Sequence, residues 1–131
     1  MTSVEKDPLK FVFAVIAIHL MGGFASALPP LLVGGNMAGL SLSESAAGNI
    51  VFAELSALAL TVLLISPILP RFIYRSLCFP AALIAIVANA LTLVPETAGG
   101  VMFIRVVAGV SEGVIYAVSL AAVASTSRNP D

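Results

Sequence analysis

A chain of 131 residues that is 60% hydrophobic and only 10% charged, with a mean hydropathy of +1.10, has too few charges to build a water-soluble surface; soluble domains run at roughly 45 to 50% apolar and 25% charged. The net charge of -1 and the scattered Lys and Arg form no basic stripe, which leaves nucleic acid nothing to bind. The single Cys78 has no internal disulfide partner and no second thiol or His at ligand spacing, so it is expected to be a small hydrophobic filler rather than a metal ligand.

Four apolar runs follow in chain order, at 11–33, 46–69, 77–94 and 100–124. At about 1.5 Å of rise per residue each can cross roughly 30 Å of hydrocarbon as a helix. Backbone groups in lipid must be satisfied inside their own segment, and these runs lack the polar–apolar alternation of barrel strands. The expected fold is an all-α membrane protein, a single domain over 1–131 with four transmembrane helices, short loops and no linker.

The first span carries His19, the glycine pair Gly22 and Gly23, and the proline pair Pro29 and Pro30. A rival reading of this end is a secretory signal, since Lys10 precedes the apolar run and Ala25-Ser26-Ala27 resembles a cleavage site. Against it, the run continues through Leu28 to Val33, and Glu5 and Asp7 dilute the positive end.

Glu54 lies inside the second span, and Arg71 and Arg75 form the loop after it. The third span has no charged residue, which predicts a lipid-facing support. On the fourth, Arg105, Gly109, Glu112, Tyr116 and Ser119 recur at helical spacing and share one face. Gly109 and Gly113 have the G-x-x-x-G spacing of close helix contact. Lys6, Lys10, Arg71, Arg75 and Arg128 alternate with two loops that hold no Lys or Arg, so both termini and the second loop are expected in the cytoplasm of an inner (plasma) membrane protein.

An ionisable side chain at the bilayer centre costs roughly 2.5 to 3.5 kcal/mol on insertion scales, so His19, Glu54, Arg105 and Glu112 each need a partner, a wet cavity or a function. Glu112 lies about 18 Å into the fourth span, too deep to reach the interface. His19, at a similar depth, is placed to share its layer. The other three have structural alternatives: Arg105 can snorkel, Glu54 can bond between helices, and His19 can be a neutral packing residue.

The stretch Val101-Met102-Phe103-Ile104-Arg105-Val106-Val107-Ala108-Gly109-Val110-Ser111-Glu112-Gly113 is similar to the fourth-helix motif of the major facilitator superfamily, in its drug/proton antiporter branch: an Arg, a Gly four residues on, then small residues. Ala108 stands where the family has Gln, and Glu112 where it has a small residue. The loop at 66–75 keeps only Arg71 and a terminal basic residue, Arg75, of the family's charged motif, so orientation is their expected role. The resemblance implies that the four spans correspond to helices one to four of a twelve-helix transporter, with the first and fourth lining its cavity. It also implies a role for Arg105 in proton coupling.

The expected function is therefore part of a proton-coupled secondary transporter, an exporter of a small organic compound. It would use protons, a small-molecule substrate, the lipid bilayer and the remaining transporter helices as partners, and no cofactor. Glu112 is the expected proton carrier, Arg105 its tuner, and His19 and Glu54 further members of the path. The glycines and prolines at 22, 23, 29, 30, 109 and 113 are expected packing or hinge positions. Two alternatives stay open: a complete four-helix subunit resembling small multidrug-resistance dimers, and a non-transporting truncated membrane protein. For the last, Arg105 and Glu112 are expected to lie exposed and the isolated piece to be unstable. No enzyme is expected, because there is no phosphate-cradling loop and the lone His has no Ser or Cys partner at legible spacing.

Overall fold

The computed structural model describes residues 12–13, 16–17, 19–20, 29–94 and 96–127, and all of its described elements are helical. Helix α1 spans Pro29–Leu40, α2 Glu44–Ile65, α3 Tyr74–Leu91 and α4 Ala98–Ser127, with a 3-10 turn at Leu69–Arg71. The described positions at 12–13, 16–17 and 19–20 are also helical. Three helices are long and apolar enough to cross a membrane: Glu44–Ile65, Tyr74–Leu91 and Ala98–Ala124. This is the architecture of an all-α membrane protein. Much of the crossing expected at 11–33 falls outside the described residues, as do Gly22, Gly23, Ala25-Ser26-Ala27, Lys6, Lys10 and Arg128.

The helix ends differ from the apolar runs for local reasons. α1 continues past Val33 to Leu40, because 34–40 holds neither charge nor proline, and it stops where Ser41 takes a left-handed φ of 53°. α2 begins at Glu44, where the Ser43 hydroxyl accepts a hydrogen bond from the Ala46 N–H at 3.3 Å and caps the first turn. It ends at Ile65 rather than Leu69, since Pro67 has no N–H to give the Leu63 carbonyl. α3 starts at Tyr74, ahead of the apolar run, and tolerates Pro80 within its length.

α4 is the hub of the bundle. Of its apolar stretch 56% is buried inside the protein, against 22% for α2 and 17% for α3, because it packs against both of them. Gly109 lies on the Glu54 backbone and Gly113 on Leu58, so contacts advance in the same direction and α2 runs parallel to α4. A Cβ at Gly109 would overlap the Glu54 carbonyl. One at Gly113 would meet the Leu58 carbonyl at 2.7 Å and the Thr61 Cβ at 2.8 Å. Backbones this close are what small residues permit between helices in lipid.

At the opposite end of the contact, Leu69 from the 3-10 turn plugs against Ala117 and Val118, with Leu77 and Cys78 of α3 around it. α3 therefore runs antiparallel to α4, its start beside Ala117 and its later turns beside Arg105. Large apolar side chains face outward, among them Phe52, Leu63, Phe79, Ile86 and Phe103. In water that surface would drive aggregation; in a bilayer it is the solvent-matched face.

Candidate functional site

The seam between α2, α3 and α4 holds a buried polar cluster. Arg105, on α4, directs its guanidinium across the glycine contact at α2. Its Nε donates to Glu54 Oε2 at 2.9 Å and its Nη2 donates to Glu54 Oε1, a two-pronged ion pair. Both residues are buried, Glu54 1% exposed and Arg105 5%. The fork of a guanidinium matches a carboxylate in this way, and at this depth the match offsets a large desolvation cost.

The remaining prong reaches α3, where Arg105 Nη1 donates to Asn89 Oδ1 at 2.7 Å. The Asn89 amide nitrogen donates to the Ala85 carbonyl at 2.9 Å and, more loosely, to Glu112 Oε1 at 3.4 Å. Asn89 thus joins two α4 side chains that arise two turns apart and converge on it. Glu112 is 7% exposed, and its Oε2 is buried with no hydrogen-bond partner among the described residues. Counted from Ala98 at about 1.5 Å per residue, Arg105 lies about 10 Å along α4 and Glu112 about 21 Å, near the middle of the span.

His19 also reaches α4, but two turns beyond Glu112. Its Nδ1 lies 3.2 Å from the Ser119 hydroxyl, and its ring centroid lies 5.2 Å from that of Tyr116. The Ser119 hydroxyl donates its own proton to the Tyr116 carbonyl at 2.7 Å, so it accepts from His19, whose Nδ1 carries the hydrogen. The layer expected to hold His19 with Glu112 instead holds His19 with Ser119 and Tyr116. The physical reason is that Ser119 and Tyr116, two turns and one turn beyond Glu112, give the imidazole a hydroxyl partner and a ring to pack on.

One alternative and one expectation give way. Arg105 does not snorkel outward; it is enclosed and paired. Nor do Arg105 and Glu112 lie exposed for want of neighbours, because this chain's own α2 and α3 cover them. Arg71 and Arg75 are exposed beside the 3-10 turn, away from the cluster. Pro29 and Pro30 form the first residues of the described α1. Among the described residues no group of three His, Cys, Asp or Glu gathers as a metal site would need.

Asn89 is the member that the sequence reading missed. Its signal was there: a lone amide in an apolar span needs partners, because an unbonded amide in hydrocarbon is costly.

Beyond the cluster, an open cavity of about 710 Å³ lies between α1 and the α3–α4 connection, lined by Leu31, Gly35, Asn36, Thr92, Glu96 and Val101 among others. Val101 is one turn before Arg105 on α4, which sets the cavity at the end of the bundle nearer the ion pair. No protein family, no curated protein and no solved structure matches the chain.

Proposed function

We propose that this chain is the first part of a proton-coupled secondary transporter built like the major facilitators, exporting a small organic compound across the inner (plasma) membrane with both termini cytoplasmic. Glu112 is its proton carrier. The observation that carries the reading is the free Glu112 Oε2, buried near mid-span beside an ion pair that is already satisfied. A proton can join or leave that oxygen without breaking either bond of the Glu54–Arg105 pair, whereas protonating Glu54 would break two charge-assisted bonds to Arg105. Arg105, its charge committed to Glu54, is held in a fixed position beside the carrier. The arrangement of basic loops around Arg71 and Arg75 supports the orientation.

The test is proton release in sealed inverted vesicles, followed with acridine orange after adding a panel of lipophilic amines and weak acids. The full-length transporter that contains this chain is expected to release protons with at least one compound, and Glu112→Gln within it to abolish that release. Unchanged release in Glu112→Gln would remove the assignment.

One observation favours a second reading, a membrane protein in which the cluster is only a clamp: the Glu54–Arg105 pair is complete within these helices and needs no further partner. In that case Glu112→Leu would leave the chain as stable as the parent or more so, and no compound in the panel would move protons.

A further inference from the structure

We propose that Asn89 is a positioning residue that couples the Glu112 carboxyl to the Arg105–Glu54 ion pair; the inference rests on Glu112 as the proton carrier. Guanidinium groups only donate, so Arg105 Nη1 at 2.7 Å must face the amide oxygen of Asn89. That contact fixes the amide orientation and turns Nδ2 toward the two acceptors it meets, the Ala85 carbonyl and Glu112 Oε1. A flipped amide would set NH2 against the guanidinium and oxygen against both acceptors. All three of the amide's bonds are therefore specified, one to each side of the cluster and one to its own helix.

The consequence is mechanical. An ionised Glu112 is the stronger acceptor for Nδ2; a protonated one is weaker and releases it. The amide that lets go of Glu112 is the same one that receives Arg105, so the grip of α3 on the ion pair follows the proton on α4. The charged groups around Glu112 are Glu54 on α2 and Arg105 on its own helix. The other titratable groups on this side are Tyr116, one turn beyond Glu112 on α4, Tyr74 and Cys78 of α3, which pack beside Ala117 and Val118, and His19, which meets α4 at Ser119 and Tyr116, while Arg75 is exposed.

Dicyclohexylcarbodiimide, which modifies protonated carboxyls in apolar surroundings, reads this directly. The full chain in lipid nanodiscs is treated across a pH series, and modification of Glu112 is quantified by mass spectrometry. In the isosteric Asn89→Asp a like charge replaces the donor, so the modification profile is expected to move toward alkaline pH by about one unit or more. Asn89→Leu, which inserts readily in lipid, removes the donor and is expected to move the profile the same way by less. Profiles that superimpose on the parent's, even with lowered thermal stability, would show a residue that only packs. A parent Glu112 unmodified at every pH would remove the proton carrier and this coupling with it, whereas a modified Glu112 indifferent to Asn89 would remove the coupling alone.

Discussion

Glu54 and Arg105 are each tolerable only because the other is present. Removing the carboxylate leaves a guanidinium 5% exposed with an amide as its remaining partner. Breaking a buried pair from one side costs about 3–5 kcal/mol, while replacing both members with apolar residues is often neutral. Glu54→Gln is therefore expected to lower thermal stability in detergent by that order. The double variant Glu54→Leu with Arg105→Leu should recover most of the loss. If the double variant were no better than the singles, the pair would owe its place to something other than mutual compensation. Asn89→Asp with Glu54→Gln offers a finer check, since it moves the counter-charge from α2 to α3 and should also regain stability.

Helices α2 and α4 meet through glycine, and that decides how near the charged groups come. A side chain at Gly109 would push the Glu54 backbone away and pull its carboxylate off Arg105. Gly109→Val is expected to cost about 1–3 kcal/mol through overpacking alone. Gly48, also in α2, meets nothing within 4 Å of an added Cβ. Gly48→Ala should be neutral or stabilise by about 0.5–1 kcal/mol, as a helix-interior glycine replaced without strain. Thermal unfolding of the two variants side by side checks the contact; equal effects would mean that α2 and α4 do not approach here.

Taken whole, the molecule is a hub helix wrapped by two others, with its polar atoms inside and its large apolar side chains outward. Such an inversion makes sense only with lipid around it. Arg71 and Glu96 lie on either side of α3 in the chain, so they should emerge on opposite faces of the bilayer. In a background where Cys78→Ser removes the native thiol, Arg71→Cys and Glu96→Cys should be labelled by an impermeant maleimide from opposite sides of sealed vesicles. Labelling of both from one side would deny the crossing.

Composition and run length were enough to define the environment and the helical class, because no water-soluble surface can be made from a chain 10% charged. The spacing of Arg105, Gly109 and Glu112 likewise put them on one helix face without reference to any partner. What lay outside local pattern was who meets whom. Pairing Arg105 with Glu54, 51 residues apart in sequence, depends on their two helices running parallel through a glycine contact. Assigning His19 to Ser119, and Asn89 to both Arg105 and Glu112, likewise depends on neighbours brought together only by packing. Periodicity tells a helix which of its faces is polar; only tertiary structure decides which polar group stands opposite.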